Sequence, residues 1–200
     1  MMNVLKVPAG VFLANCYIVK KNHSVLIIDP GSYRKVSSCL ELEPDDRVVG
    51  ILLTHGHFDH IGGVDKLAQE FRCPVYLAKE DDVLAKDPDL NSLGGYSTVL
   101  HCTTKDYPEN RLILGDFDME IIYTPGHTEG SVCIKIENHL FTGDTLFHNS
   151  VGRTDLYGGS DHKLFQSLRL LCSLDPKLII HPGHDEESTL EEEFMTNPYL

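Results

Sequence analysis

The sequence predicts a mixed α/β fold in which layered β-sheets are covered by helices. Short apolar segments typical of strands come first, then alternate with segments of helical periodicity, and strands return towards the end of the chain. Clusters of Gly, Pro and Asp separate these segments and mark the turns. An element that is apolar on one face has to bury that face against another layer, so this order favours stacked sheets with helices outside.

The first half of the chain is predicted to form most of one sheet with its covering helices. A continuous apolar run at 48–53 is typical of a strand buried on both faces, and Asp29-Pro30-Gly31 ends the strand before it. The predicted elements are strands at 12–19, 24–28, 48–53 and 74–77, and helices at 36–42, 61–71 and 80–85.

The second half begins with a segment at 87–110 that has no clear period, which we expect to be a long loop with some helix. The segment 132–136 alternates apolar and other residues and predicts a half-buried strand. A helix beginning at Asp161 is expected to place Leu164, Phe165, Leu168 and Leu171 on one face. The remaining predicted elements are a hairpin of 112–114 and 119–123, strands at 140–142 and 178–180, and a helix at 188–194.

Length and composition fit one globular domain spanning residues 1–200. Hydrophobic residues make up 42% of the chain, and at 200 residues a sizeable core forms without disulfides. The 30 acidic residues against 17 basic ones give a formal net charge of −13. Nucleic acids and anionic membranes prefer basic surfaces, so neither is expected as a partner, and the oligomeric state is not predicted.

The cysteines and the N-terminus both predict a cytoplasmic protein. Six cysteines are scattered without a CxxC pair, which is typical of free thiols in a reducing compartment. The first ten residues contain a lysine and a proline and no long apolar stretch, so no signal peptide is predicted.

The segment Thr54-His55-Gly56-His57-Phe58-Asp59-His60 follows the buried strand at 48–53 and is the clearest chemical signal in the chain. It holds four potential metal ligands within six residues, and His55 and His57 are spaced so that both rings can point to one side of an extended loop. Imidazole and carboxylate groups together suit zinc, iron or manganese. The pattern therefore predicts a metal site.

Three further potential ligands, His127, Asp144 and His184, each lie just past a predicted apolar strand. Loops at one edge of a sheet can converge, so these residues are candidates for the same site as the first cluster. His181 is a candidate for a supporting position rather than a ligand.

These motifs together resemble the metallo-β-lactamase superfamily. His-x-His-x-Asp-His, Gly-His-Thr-x-Gly-Ser, Gly-Asp-Thr-Leu-Phe and Pro-Gly-His occur in the order typical of that superfamily. Gly152-Arg153-Thr154-Asp155 and the stretch 189–200 resemble its single-domain glyoxalase II-like (hydroxyacylglutathione hydrolase-like) branch. The resemblance implies a four-layer αββα sandwich, the metallo-β-lactamase fold.

The resemblance also implies a dinuclear centre. Two divalent metal ions are expected, zinc first, with iron or manganese as alternatives. Asp59 would also be catalytic by orienting the nucleophile, and Arg153 would bind the substrate unless it only forms a structural ion pair with Asp155 or Asp161. The implied ligands are His55, His57 and His127 for one metal, Asp59, His60 and His184 for the other, and Asp144 as the bridge.

The implied activity is metal-dependent hydrolysis, in which a hydroxide bridging the two metals cleaves a small acyl thioester. A thioester suits such a site because a thiolate leaves without prior protonation. The main alternative is an oxidoreductase resembling the mononuclear-iron persulfide dioxygenases, and a metal-stabilised binding domain is a further one. β-Lactam hydrolysis is not expected, because the cysteine-containing β-lactamases have Cys where this chain has Asp144.

Overall fold

The computed structural model of the protein describes residues 2–200. Its strands are β1 (Met2–Pro8), β2 (Asn15–Lys21), β3 (Ser24–Ile28), β4 (Arg47–Leu52), β5 (Val75–Tyr76), β6 (Ser92–Leu93), β7 (Tyr96–Ser97), β8 (Thr104–Lys105), β9 (Arg111–Leu114), β10 (Phe117–Tyr123), β11 (Val132–Ile136), β12 (His139–Gly143), β13 (Leu146–Phe147), β14 (Ser150–Val151), β15 (Ile179–Pro182) and β16 (Ser188–Thr189). Its α-helices are α1 (Tyr33–Cys39), α2 (Phe58–Ile61), α3 (Val64–Phe71), α4 (Asp82–Lys86), α5 (Asp161–Leu171) and α6 (Leu190–Thr196).

The strands form two six-stranded sheets, ordered β1-β2-β3-β4-β5-β8 and β16-β15-β12-β11-β10-β9. Three apolar clusters separate four layers. One lies between the first sheet and α1 and α3, one between the two sheets, and one between the second sheet and α5. Burying each large aliphatic or aromatic side chain contributes roughly 1.5–3 kcal/mol relative to leaving it exposed. The four-layer αββα sandwich implied by the sequence is confirmed.

Strand direction explains where polar residues collect. β3, β4 and β5 run parallel in the first sheet, and β12 and β15 run parallel in the second. β10 and β12 each pair antiparallel with β11 and therefore also run in one direction. The two sheets meet at this edge, where Val132 N–H donates to the Thr54 carbonyl at 2.8 Å. The loops after β3, β4, β10, β12 and β15 consequently gather at one end of the sandwich.

The N-terminal elements differ from the prediction. The strand expected over 12–19 begins only at Asn15, because Phe12 and Leu13 both adopt φ of 57° in a 3₁₀ turn. β1 was not predicted, although it pairs with β2 along its whole length. Its residues are mostly half-buried or exposed, and Asn3 and Lys6 interrupt its apolar residues, so its sequence lacks the continuous apolar run of the buried strands. The helix expected at 36–42 spans Tyr33–Cys39, since Leu40 is already extended.

The segment 87–110 contains no helix, contrary to expectation. It forms the small β6–β7 hairpin, and β8 then adds in parallel to β5 at the edge of the first sheet. The small β13–β14 hairpin was also not predicted.

In the second sheet, β11 is not half-buried. Cys133 lies on the face that was expected to be exposed, but it is fully buried towards α5 because layers cover both faces of this strand. Phe165, predicted on the buried face of α5, is 57% exposed, whereas Leu164, Leu168 and Leu171 are buried. The terminal helix begins at Leu190, two residues later than predicted, because Ser188 and Thr189 pair with β15.

Two further observations concern the chain as a whole. All six cysteines are free within the described residues, as the sequence predicted. No helix among residues 2–200 has both the length and the apolar character that crossing a bilayer requires.

Candidate metal centre

The seven side chains that the sequence singled out as ligands all lie at the edge where the strand ends gather. His55 follows β4, His127 follows β10, Asp144 follows β12 directly, and His184 follows β15. α2 begins within the first motif and holds Asp59 and His60 in its single turn. The structure therefore brings together residues that are up to 129 positions apart in sequence, His55 and His184.

His55, His57 and His127 form one group, in which one nitrogen from each ring lies within 4.8 Å of the others. His57 Nδ1 and His127 Nε2 are 2.8 Å apart. All three residues are buried. Three imidazole nitrogens at this separation match the donor set of a zinc or iron site.

Asp59, His60 and His184 form the second group, with ligand atoms also within 4.8 Å of one another. His184 Nε2 lies 3.3 Å from Asp59 Oδ2 and 3.4 Å from His60 Nε2. Two imidazoles and a carboxylate can hold a divalent metal ion of the same kinds.

Asp144 lies between these two groups and contacts both. Its Oδ2 atom is 3.4 Å from His127 Nε2 of the first group and 3.6 Å from His184 Nε2 of the second. Its Oδ1 atom is 3.4 Å from His60 Nε2. This is the position that a bridging carboxylate would occupy.

Charge in the centre is unevenly distributed. Burial and the neighbouring rings His60 and His127 hold the pKa values of His55 and His57 below normal, that of His57 at about 3. Burial disfavours ionised Asp144, but the charge of His60 outweighs it and keeps the pKa of that carboxyl well below its usual range. His55 and His57 are therefore neutral near pH 7, which leaves lone pairs free for metal binding.

Unpaired buried atoms test whether these residues fit a metal. His55 Nε2, His57 Nε2 and Asp144 Oδ1 are buried and make no hydrogen bond with any of the described residues. Buried polar atoms without partners are costly, so such a cluster needs a ligand to satisfy it. The donor set and these unpaired atoms fit divalent metal ions.

Asp29 supports the ligands and was missed at the sequence level. Its carboxylate accepts hydrogen bonds from Thr54 N at 2.8 Å and Thr54 Oγ1 at 2.6 Å. Its Oδ2 atom also lies 3.2 Å from His60 Nδ1, so it orients a ring whose Nε2 faces Asp144. The sequence interpretation treated Asp29 only as a turn residue, but it too directly follows an apolar strand, β3.

Asp81 and Asn91 hold the His55–Asp59 loop and were also missed. Asp81 is buried and accepts hydrogen bonds from Gly56 N at 2.8 Å, Gly130 N at 2.7 Å and Thr128 Oγ1 at 2.7 Å. It thereby ties the loop after β4 to the loop after β10. Asn91 accepts from the N–H of Phe58 and donates to the Gly56 carbonyl, both at 2.8 Å. Nothing in the acidic run around Asp81 indicated burial.

Two glycines allow the loops to approach closely. Gly126 has φ of 146°, and a Cβ there would overlap the backbone of Leu164 in α5. A Cβ on Gly183 would overlap the carboxylate of Asp144. Only glycine therefore lets the turns that hold His127 and His184 reach the centre.

A cavity of about 310 Å³ opens over the two groups. His57, Asp59, His127, Asp144 and His184 line its floor. Its walls are mainly apolar and consist of Phe12, Phe58, Leu93, Phe147, Val151 and Leu156. Such a cavity, apolar with a few convergent polar groups, is typical of a small-molecule site.

Arg153 lines the same cavity and also forms an ion pair. Its Nε and Nη2 groups donate to the two carboxylate oxygens of Asp155 at 2.7 and 2.8 Å. The Arg153 carbonyl accepts a hydrogen bond from His127 Nδ1 at 2.7 Å, and this contact orients the His127 ring.

His181 stands apart from the metal groups. Its Nδ1 lies 2.7 Å from Glu187 Oε1 and its Nε2 lies 2.8 Å from His139 Nδ1. Burial lowers its pKa to about 4. It packs against both Tyr17 and Phe141, so it supports the end of β15 rather than the centre.

Comparison with known proteins agrees with this geometry. The chain is 33% identical to the hydroxyacylglutathione hydrolase GloC of Haemophilus influenzae, over 100% of this chain and 98% of the relative. The fold matches the BLEG-1 B3 metallo-β-lactamase with a TM-score of 0.91 at 34% identity, covering 100% of this chain and 99% of that one. It matches TTHA1623 in a di-iron-bound form with a TM-score of 0.88 at 34% identity, covering 98% of this chain and 100% of that one. The family model of the metallo-β-lactamase superfamily matches residues 9–184, and the chain therefore belongs to that superfamily.

Proposed function

We propose that this member of a superfamily of metal-dependent hydrolases cleaves small acyl thioesters at a dinuclear metal centre. The observation that supports this most is the placement of Asp144 between two three-residue groups of ligand type, at the floor of a mainly apolar cavity. A structural zinc site is closed with four ligands, whereas seven converging side chains beneath an open cavity favour catalysis.

The chain's own residues have distinct roles in this proposal. His55, His57 and His127 would hold one metal, Asp59, His60 and His184 the other, and Asp144 would contact both. When bound, the two cations would lower the pKa of a shared water and stabilise negative charge on the carbonyl oxygen. We propose zinc as the metal, with iron as the alternative that the di-iron form of TTHA1623 suggests.

Asp59 is proposed to orient the attacking water. Burial disfavours its ionised form, but His60 and His184 keep the pKa of its carboxyl below normal, so it is a hydrogen-bond acceptor near pH 7. Water adds to the carbonyl carbon and releases one proton to solvent, the C–S bond breaks, and the electron pair leaves on sulfur as a thiolate. The acyl group becomes a carboxylic acid, which loses its proton, and the thiolate takes a proton from solvent.

Arg153 is the proposed substrate anchor. Its Nε and Nη2 groups are bound to Asp155, and its Nη1 group makes no hydrogen bond within the described chain. The ion pair is 49% and 68% exposed, so it contributes little to folding stability. An oriented guanidinium with one free donor edge beside the cavity is suited to hold a substrate oxygen.

Two other reactions compete with this proposal. Persulfide oxidation at a single iron would use only part of the ligand set, so it leaves the contacts of Asp144 to both groups unexplained. β-Lactam hydrolysis draws support from the likeness to BLEG-1, but an amide nitrogen needs a proton when it leaves, whereas a thiolate does not.

We also propose a cytoplasmic location and a small-molecule substrate rather than a nucleic acid or membrane, in line with the free cysteines and the net charge of −13.

A substrate panel tests the proposal. Metal-loaded protein is incubated with S-lactoylglutathione and S-acetyl-N-acetylcysteamine, with a penicillin, and with glutathione persulfide under monitored oxygen. We expect thiol release from at least one thioester, abolished by chelation and restored by metal, without β-lactam opening. Oxygen consumption with the persulfide and no thioester cleavage would instead support the dioxygenase.

A further inference from the structure

A second cavity of about 510 Å³ adjoins the cavity over the candidate metal centre, on the side of α5. Both cavities are lined by Val151 and Arg153, so the Arg153 side chain lies on the boundary between them. We refer to this second cavity as the α5 groove. Its other lining includes Leu164, Phe165, Leu168 and Tyr199.

The surface of the α5 groove is apolar and partly open. Leu164 and Leu168 form a buried floor, while Phe165 and Tyr199 remain 57% and 56% exposed. Aromatic side chains left this exposed next to a candidate active site are available to pack against an elongated ligand.

The two charged residues that line the α5 groove, Arg153 and Asp161, already have hydrogen-bond partners. Thr154 Oγ1 donates to Asp161, and Arg153 is held by Asp155. Arg169, which does not line the groove, has its guanidinium carbon 6.0 Å from the centre of the Phe165 ring. Among the residues that line the α5 groove, Arg153 is the one cation, and its free Nη1 group can donate to a neutral amide carbonyl.

We propose, resting on the thioesterase function above, that the α5 groove binds the thiol portion of the substrate, and that this thiol is an uncharged chain of aliphatic and amide groups. Pantetheine is a long thiol of this class and N-acetylcysteamine a short one. The thioester carbonyl lies over the metal floor, an amide carbonyl of the thiol accepts from Arg153, and the remaining chain lies along Phe165 and Tyr199. The acidic chain, with a net charge of −13, disfavours thiols that bear carboxylates or phosphates.

The variant Phe165→Ala/Tyr199→Ala removes the exposed aromatic walls without opening the core. Leu170→Ala is the matched control, because Leu170 lies on the same helix, is 46% exposed and does not line the α5 groove. Binding of S-methylpantetheine, S-methyl-N-acetylcysteamine and S-methylglutathione to the metal-loaded chain is measured by calorimetry. These thioethers cannot be hydrolysed, so the measurement does not depend on catalysis.

We expect the pantetheine thioether to bind at least about tenfold tighter than the other two, and the double variant to abolish this preference while Leu170→Ala keeps it. The corresponding thioesters should show the same pattern in kcat/KM. Equal binding of long and short thioethers, or a preference for S-methylglutathione, would overturn the proposal even if thioesters are hydrolysed. Retained discrimination between thioethers without any thioester cleavage would support the α5 groove and reject only the hydrolytic function.

Discussion

Asp144 is the residue whose contacts join the two halves of the candidate centre, since its oxygens face His60, His127 and His184. We expect Asp144→Asn to lower thioester turnover by more than about 100-fold and to reduce the bound metal, because an amide neither bridges nor neutralises two cations. Metal analysis and kinetics on one preparation measure both effects. Asp185→Asn is the control, since Asn tolerates its φ of 64°. Wild-type turnover with full metal in Asp144→Asn would disprove the bridging role.

A substitution at Arg153 distinguishes a role in substrate binding from a role in folding. Because its ion pair with Asp155 is exposed, we expect Arg153→Ala to leave the melting temperature almost unchanged. If Arg153 binds the substrate equally well in the ground state and the transition state, its loss should raise KM about tenfold with little change in kcat. A lowered melting temperature with an unchanged KM would mean that the residue is only structural.

At the scale of elements, α6 fixes the β13–β14 hairpin, which provides Phe147 and Val151 to the cavity wall. Glu193 is fully buried and accepts hydrogen bonds from Asn149 N at 2.9 Å and Asn197 Nδ2 at 2.8 Å. The Asn197 amide donates further to the carbonyls of Phe147 and Ser150. The C-terminal helix therefore sets the position of one wall of the cavity.

We expect Glu193→Gln to destabilise the fold by about 1–3 kcal/mol, because its NH2 group would face either His148 Nδ1 or the Asn149 and Asn197 donors that the carboxylate now satisfies. The hairpin would loosen, and KM for a thioester should rise more than kcat falls. Urea unfolding and steady-state kinetics measure the two effects. The neighbouring exposed Glu192→Gln should change neither, and an unaltered KM in a clearly destabilised Glu193→Gln would show that the hairpin does not shape the site.

The positions of the candidate ligands were predictable where residue chemistry and strand pattern agree. The motif at 54–60, His127, Asp144 and His184 each follow an apolar strand, so the strand pattern and the metal chemistry pointed to the same positions. The supporting residues Asp81 and Asn91 lie in segments without periodicity, and their burial depends on tertiary contacts that no local pattern records. β1 was not predicted for a related reason, since Asn3 and Lys6 interrupt its apolar residues and its pairing with β2 is a tertiary contact.

For the whole molecule, the sandwich brings strand ends from both sheets to one edge and places an apolar cavity above them. The order of elements predicted layered sheets with covering helices and the family resemblance implied four layers, but neither predicted the cavity or the α5 groove. The cavity arises where β13–β14 and the segment after it approach the loops that hold the candidate ligands, and the α5 groove arises where the same segment meets α5. These contacts connect residues far apart in the chain.

The central claim is that two metal ions, held around Asp144, make this chain a thioester hydrolase. Its most direct test is a titration of metal-free protein with Zn²⁺, or with Fe²⁺ under anaerobic conditions, in which bound metal per chain and thioester turnover are measured in parallel. We predict binding that saturates at two ions per chain, with full turnover only when the second site is filled. Saturation at a single iron, with oxygen-dependent persulfide oxidation and no thioester cleavage, would contradict it.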